Sequence, residues 1–312
     1  MAAGMLPAMA GFESKAAASE KPAGHAEAAP PACIHVFSKP FEHLSYNDAS
    51  ALIAEGGYGG IDLTVRSGGH VAPEKVGEEL PRAVEAAGRN GLRVDMITTS
   101  IVDPDAPGTS RILQTASALG VRYYRLGVFR YDDDLGVWGS LQKLEPVFRR
   151  FADLNEAHGL HGAVQNHSGA RVSSPVWDLF ELFRDLDPQW IGCQYDIRHA
   201  TVEGARSWPL ALNLLAPWIR CTVIKDFTWQ MDDGQAVPVN VPLGEGLVSF
   251  DDYFRIVRDL NVTGPISVHF PYGPFTTAAR FPSDSERKQA MLSALEKDLR
   301  TLKAWLDEHE LA

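Results

Sequence analysis

The feature that most constrains the fold is a regular recurrence of short runs rich in β-branched and aromatic residues. From His35 in the first run to His269 in the last is 234 residues, or about 33 residues for each strand-to-strand interval. That is enough for one strand, one helix and two short loops. Eight units of nearly constant length predict an α/β fold of the closed (β/α)8 TIM barrel type rather than an open doubly wound sheet. The predicted strands are 34–37, 60–65, 92–98, 121–129, 161–166, 191–196, 221–226 and 265–270.

The segments between these runs have the pattern of amphipathic helices with recognisable ends. Ser45-x-x-Asp48 is a capping-box pattern, and Gly159 lies where a helix should stop. Apolar residues at helical spacing in the last segment form a packing stripe. The predicted helices are 45–55, 73–90, 109–119, 141–158, 174–186, 206–216, 249–260 and 284–308.

Residues 1–32 differ in composition from the rest of the chain. They are rich in Ala, Gly, Pro, Glu and Lys and have no period that a core could use, so we expect a disordered extension before a single domain at 33–312. The stretch from Gly4 to Phe12 is typical of the apolar end of an export signal, although the charged segment that should precede it is absent. The sequence favours an exported, periplasmic protein with a start further upstream, and a cytoplasmic protein with a low-complexity extension is the alternative.

Composition and charge exclude several classes of partner. The chain is 45% hydrophobic and 22% charged, which is typical of a globular protein able to bury a full core. Its net charge is −11, and no cluster of Lys and Arg exceeds a pair, so we expect no nucleic-acid partner. No apolar stretch is long enough to predict a membrane span. No GxGxxG motif follows a strand, which argues against a nucleotide cofactor.

Polar side chains gather at the predicted carboxyl ends of the strands. In a (β/α)8 barrel these ends converge on one mouth, where the chemistry takes place. Any one of these residues alone would be interpreted as a hydrogen-bonded scaffold residue. Burial of many polar groups at one end costs free energy unless they bind something, so their convergence predicts a site. The candidates are His35, Asp62, Arg125, Gln165, His167, Asp196, His199, Lys225 and His269.

The residue types suggest specific chemistry. Asp196-x-x-His199 could place a carboxylate and an imidazole on one ligand or metal, or form only an internal hydrogen bond. Lys225 either pairs with the neighbouring Asp226 or supplies positive charge to a developing oxyanion or enolate. The amides and imidazole of the run from Gln165 to His167 suit the hydroxyl groups of a sugar.

The motifs GYGGIDL at 57–63, QNH at strand five, D-x-x-H at strand six, IKD at strand seven and PLGEG at 242–246 together resemble the sugar phosphate isomerase/epimerase family. This is the group of xylose-isomerase-like TIM barrels. The resemblance runs from about Ile34 to Leu306, and it is specific for the superfamily rather than for one reaction.

The resemblance implies a metal site and also shows where this chain departs from it. Family members typically hold one divalent metal with Glu on strand five, Asp on strand six, His on strand seven and Glu on strand eight. Asp196 matches the strand-six ligand, and His199 matches a neighbouring histidine that contacts substrate. The other three positions carry Gln165, Val223 and His269, so the usual pair of glutamates that moves the substrate proton is absent. The resemblance therefore implies Mn²⁺, Zn²⁺ or Mg²⁺ on Asp196, His269 and Gln165, with less negative charge than usual.

Three functions remain open from the sequence. The first is a sugar isomerase or epimerase that removes a proton beside a carbonyl, with His269 or Asp196 as the base and Lys225 as a further catalytic residue. The second is a lyase or hydratase of a 3-keto-glycoside, and the third is a non-catalytic sugar-binding protein. In each case the partner is a small sugar, whose identity and phosphorylation the sequence leaves open, as it does the oligomeric state. The predicted substrate contacts are His199, Gln165, His167, Arg125, Asp62 and His35.

Overall fold

Eight parallel strands close into a barrel in the computed structural model, which describes residues 33–276 and 279–312. The order around the barrel is β1-β10-β7-β6-β5-β4-β3-β2. Each strand follows its neighbour in sequence around the barrel, apart from an inserted hairpin, so the predicted (β/α)8 barrel is confirmed. The barrel strands are β1 Ile34–Phe37, β2 Gly60–Val65, β3 Met96–Thr99, β4 Tyr123–Arg125, β5 His161–Gln165, β6 Ile191–Asp196, β7 Ile219–Ile224 and β10 Ile266–Val268.

The helices form the outer layer and match the sequence pattern closely. The Ser45 side chain accepts a hydrogen bond from the Asp48 backbone N–H, as a helix cap should, and Gly159 ends α4 in the left-handed conformation. One helix, α6, directly follows β6 and was not predicted. The α-helices are α1 Tyr46–Glu55, α2 Val76–Arg89, α3 Pro107–Ala118, α4 Gly136–His158, α5 Trp177–Phe183, α6 Ile197–Gly204, α7 Trp208–Leu215, α8 Phe250–Asp259 and α9 Asp284–Glu308.

A β-hairpin follows the seventh barrel strand. Strands β8 (Asp226–Asp232) and β9 (Gln235–Val241) pair antiparallel along their full length. The two residues between them, Asp233 and Gly234, both have positive φ angles, 47° and 79°. A two-residue Asp-Gly loop of this kind is the type I′ turn, whose twist matches that of the flanking strands. The hairpin therefore has a local signal in the sequence.

The barrel interior is polar towards its centre. Side chains alternate along a strand, so one set from each strand points inward. Asp62 of β2 is buried there, and its two carboxylate oxygens accept hydrogen bonds from Thr98 of β3 and Ser267 of β10, each at 2.9 Å. Burial raises the pKa of Asp62, against these hydrogen bonds and the charge of Arg125. The Asp62 carboxylate thus connects three barrel strands.

The loop that follows the hairpin is held by Asp226. Its carboxylate accepts backbone N–H groups of Phe227, Gly244, Gly246 and Val248 at 2.8–3.2 Å. A Cβ on Gly246 would lie 2.1 Å from the Asp226 Oδ1, which only glycine avoids. The PLGEG motif therefore has a structural role, because it wraps a buried carboxylate.

The predicted N-terminal extension, residues 1–32, lies outside the described residues. Within the described ranges, no helix is both long and apolar enough to cross a membrane. The three cysteines are free: Cys193 and Cys221 are buried and Cys33 is half-buried.

Candidate active site

A cavity of about 1020 Å³ opens at the carboxyl ends of the barrel strands. It is large enough for a sugar-sized ligand. Its wall includes the loops after β1, β4, β5 and β10 and two residues of the hairpin, Pro238 and Asn240. Six of the nine predicted site residues line it directly: Arg125, Gln165, His167, His199, Lys225 and His269.

The floor of this cavity is an ion pair between Lys225 and Asp196. The Lys225 Nζ lies 2.9 Å from the Asp196 Oδ2 and 2.7 Å from the His199 Nε2. Asp196 is fully buried and also caps α6, because its Oδ1 accepts the His199 backbone N–H at 3.1 Å. Burial lowers the pKa of Lys225, and the Asp196 carboxylate opposes this shift. Lys225 therefore pairs with Asp196 on the adjacent strand and not with its sequence neighbour Asp226.

A second set of hydrogen bonds extends this pair to the β4 side. The Gln165 Nε2 donates to the Asp196 Oδ2 at 2.7 Å, and the Gln165 Oε1 accepts from the Arg125 Nη1 at 2.8 Å. Arg125 is a donor only, which fixes the orientation of the Gln165 amide. Burial lowers the pKa of Arg125 to about 10. The Asp196 carboxylate is thus surrounded by donors.

Neutral imidazoles lie on two sides of Lys225. His167 follows β5 and packs against His199, with ring centroids 3.7 Å apart and the ring planes tilted by 32°. His269 follows β10 and stacks on Phe37 at 4.2 Å. Burial lowers the pKa of His167 to about 4. Burial first, and then the charge of Lys225, hold the pKa values of His199 and His269 well below the ordinary value.

His269 has a ring nitrogen that no protein group in the described ranges uses. Its Nε2 is buried and has no hydrogen-bond partner among the described residues. By contrast, the His199 Nε2 accepts from Lys225, and its Nδ1 lies 2.8 Å from the Ser168 Oγ. A neutral imidazole with an unused ring nitrogen can accept a proton from a ligand.

Two predicted substrate contacts are wrong. His35 lies at the opposite end of the barrel, because it is the second residue of β1 and its ring bonds the Cys33 carbonyl at 2.8 Å and the Asp95 carboxylate at 3.0 Å. Burial alone would lower the pKa of His35, but these two partners outweigh it and raise the pKa to about 9. Asp62 lies beneath the cavity, with both oxygens bonded to Thr98 and Ser267, and does not line it.

The predicted metal ligands do not fit a divalent ion. The Gln165 Oε1 accepts from the Arg125 guanidinium, and the Asp196 Oδ2 accepts from the Lys225 ammonium. The strand-seven position carries Val223, which is fully buried and offers no ligand atom. The oxygens of both predicted ligands, Asp196 and Gln165, thus already accept hydrogen bonds from cationic side chains, and those charges would repel a metal cation. The predicted metal set Asp196, His269 and Gln165 is therefore corrected: Asp196 and Gln165 are hydrogen-bonded to each other and to Lys225 and Arg125, and His269 stacks on Phe37.

One group of metal-ligating types within the described residues does lie close together, at the other end of the barrel. Ligand atoms of Cys33, His35 and Asp95 are all within 4.8 Å of one another. Both ring nitrogens of His35 already have protein partners there. We interpret this group as a buried His–Asp ion pair.

Sequence reasoning missed several lining residues. Arg171 follows QNH on the same loop, and Ser168 lies between them. Pro238 and Asn240 reach the cavity from the hairpin, which the Asp-Gly dipeptide signals. Phe37 at the end of β1 supplies the aromatic surface, with Arg125 lying 5.6 Å above its ring. The cationic side chains that line the cavity are Lys39, Arg66, Arg125, Arg171, Arg198, Lys225 and Arg287.

A closed (β/α)8 barrel with ionisable side chains gathered at the carboxyl ends of its strands has the architecture of the barrel enzymes. The xylose isomerase-like TIM barrel family model matches residues 50–310. The chain belongs to this family. No curated protein sequence matches it.

Solved structures of the same fold share little sequence with the chain. A xylose isomerase domain protein from Planctomyces limnophilus has a TM-score of 0.65 at 16% identity, covering 91% of this chain and all of that one. The probable 3-DHS dehydratase involved in petrobactin synthesis from Bacillus anthracis has a TM-score of 0.59 at 16% identity, with 85% and 97% covered. The 3-keto-D-glucoside 4-epimerase from E. coli has a TM-score of 0.59 at 13% identity, with 85% and 98% covered. At these identities the likeness concerns the fold.

Proposed function

We propose that the chain is a sugar isomerase or epimerase that removes a proton beside a carbonyl group, with a lysine in the position where the family places a metal ion. One observation carries the proposal. A buried ammonium, Lys225, is fixed on Asp196 at the floor of the cavity, and neutral imidazoles flank it. A fixed positive charge beside an unprotonated base is what formation of an enediolate requires.

The proton transfer follows from the positions of these groups. The His269 Nε2 takes the proton from the carbon next to the carbonyl, and the C–H electron pair forms the C=C bond of the enediolate. The negative charge moves to the former carbonyl oxygen, which the Lys225 ammonium stabilises. Return of the proton to the former carbonyl carbon, together with transfer of the hydroxyl proton of the neighbouring carbon to the former carbonyl oxygen, completes an isomerisation.

Epimerisation needs a proton donor on the other face of the enediolate. The barrel order β10-β7-β6-β5 places Lys225 after β7, between His269 after β10 and His167 after β5. One imidazole can therefore remove the proton and later release it to solvent, while the other, protonated from solvent, delivers a proton to the opposite face of the enediolate. The relatives named as a 4-epimerase and a dehydratase support proton transfer as the shared chemistry of the fold.

The same pair of imidazoles supports a lyase or hydratase as the second candidate. The enediolate would then expel the substituent on the next carbon, and a protonated imidazole would give its proton to the departing oxygen. The imidazoles of His167 and His269 in one cavity supply both the base and the acid. The substrate would be a 3-keto-glycoside.

Solvent deuterium exchange tests the proposal. A panel of ketoses and 3-keto-glycosides is incubated with the protein in deuterium oxide and analysed by proton NMR and mass spectrometry. We expect exchange of the hydrogen beside the carbonyl for deuterium and interconversion of sugars with no loss of any other group. Release of a free aglycone would instead identify the lyase. If no compound on the panel exchanges, the remaining interpretation is a sugar-binding protein.

The His269→Gln variant assigns the base. Loss of the imidazole should lower the exchange rate by about 10²–10⁴-fold. His158→Gln, at the end of α4 and away from the cavity, is the matched control and should exchange at the wild-type rate. Equal rates for His269→Gln and the wild type would remove His269 from the proposed role.

A further inference from the structure

The cavity is much more positive than the chain that forms it. The whole chain has a net charge of −11, whereas the described lining holds seven cationic side chains and one carboxylate, Glu42. Lys225 pairs with Asp196, and Arg66 lies 3.3 Å from Glu42. The four remaining arginines of the lining pair with no carboxylate of the described residues. A concave surface of one sign concentrates ligands of the opposite sign.

Two of these arginines lie against one loop. The Arg198 Nη1 is 3.3 Å from the Ser168 Oγ, and its Nη2 donates to the Pro238 carbonyl at 3.3 Å. The Arg171 Nη2 lies 3.7 Å from the point where a Cβ of Gly169 would be. Both guanidinium groups therefore border the loop that follows β5, on the side of the cavity covered by the hairpin.

Each of these guanidinium groups has a donor that is not used. The Nε atoms of Arg171 and Arg198 are buried and have no hydrogen-bond partner among the described residues. The Glu203 carboxylate on this side accepts from the Gly169 backbone N–H, and no ion pair joins it to either arginine among the described contacts. A buried donor without a partner on a charged group costs free energy unless a ligand accepts its hydrogen bond. The planar fork of arginine fits the two oxygens of a carboxylate or phosphate.

We propose that the substrate carries an oxyanion group, a carboxylate or a phosphate, which binds between Arg171 and Arg198. Only the sugar part of this ligand rests on the proposed function. The oxyanion anchors one end of the molecule beneath the hairpin, and the other end reaches Lys225 and His269. Burial, and then the charge of Lys225, lower the pKa values of His167, His199 and His269, and the second of these causes reflects the positive charge of the cavity.

Calorimetric titration with matched sugars tests this inference without any turnover. The probes are D-glucose, D-glucuronate and D-glucose 6-phosphate, with inorganic phosphate as the bare oxyanion and potassium chloride at equal ionic strength as the salt control. We expect at least one anionic sugar to bind about tenfold or more tightly than glucose, and inorganic phosphate to compete with it. Preference for glucuronate or for glucose 6-phosphate decides between carboxylate and phosphate.

Two variants locate the subsite. Arg198→Gln and the more exposed Arg171→Gln should each lower the affinity for the anionic probe by about ten- to hundredfold, with no change in the affinity for glucose. Arg89→Gln, an exposed arginine on α2, is the control and should bind as the wild type does. Equal affinity for glucose and both anionic sugars would overturn the inference, as would unchanged anion binding in both variants. Anion binding without deuterium exchange would overturn the proposed function alone.

Discussion

Replacement of Lys225 by Met tests how the site and the fold depend on one buried ion pair. The change keeps most of the length of the side chain and removes the ammonium. Asp196 then remains fully buried with only the Gln165 amide and the His199 backbone N–H as donors. Removal of one partner of a buried ion pair typically costs about 3–5 kcal/mol, because the other charge stays buried without compensation. In a domain of this size that lowers the melting temperature by roughly 6–15 °C.

The chain contains a matched control for this experiment. Lys143 lies 2.9 Å from Asp132, the same distance as Lys225 from Asp196, but its side chain is 63% exposed against 8% for Lys225. Exposed pairs contribute about 0–1 kcal/mol, so Lys143→Met should change the free energy of unfolding very little. Comparison of the two variants by urea unfolding isolates the effect of burial, since the chemistry and the distance are the same.

A third variant separates the energetic cost of the uncompensated Asp196 charge from the cost of lost packing. Adding Asp196→Asn to Lys225→Met removes the uncompensated carboxylate, so the double variant should recover part of the lost stability. Both variants should lose exchange activity by about 10²–10³-fold, because the ammonium that stabilises the enediolate is gone. The reasoning is refuted if Lys225→Met is destabilised no more than Lys143→Met, or if it retains full activity.

The remaining predictions concern the metal, the far end of the barrel and the hairpin loop. Extensive dialysis against EDTA should leave the exchange rate unchanged, and elemental analysis should find well under one equivalent of Mn, Zn or Mg. If dialysis abolishes the activity and one of these ions restores it, the proposed role of Lys225 is contradicted. The folded-state pKa of His35, about 9, exceeds its unfolded value of 6.5, so its contribution of up to about 3 kcal/mol is complete below pH 6.5 and is lost as pH rises through about 9. In the His35→Gln variant, the free energy of unfolding measured from pH 6 to 10 should therefore not show this decline. An identical decline in the variant and the wild type would contradict the assignment to His35. Gly246→Ala places a methyl group 2.1 Å from the Asp226 Oδ1 and should lower the melting temperature, whereas Gly88→Ala, where nothing lies within 4 Å, should not.

Sequence alone determined the architecture and the end of the barrel where the polar groups gather. The repeat of strand and helix, the Ser45 cap and the glycine stop at Gly159 are local signals, and local signals depend only on residues near one another in the chain. The rule that strand ends converge then placed His167, His199 and His269 at one mouth without any knowledge of contacts. The Asp-Gly turn of the hairpin was equally local, and it could have been predicted.

Tertiary structure alone decided which partner each polar side chain takes. Lys225 pairs with Asp196, 29 positions earlier in the chain, because the register of β6 against β7 brings the two together. Its sequence neighbour Asp226 instead binds the loop at 244–248. His35 points towards the amino end of the barrel because it occupies the second position of a four-residue strand. These outcomes depend on register and on the alternation of side chains, and a shift of one residue would reverse each of them. The physical reason is that charge compensation is a contact between distant segments, and it exists only after the barrel closes.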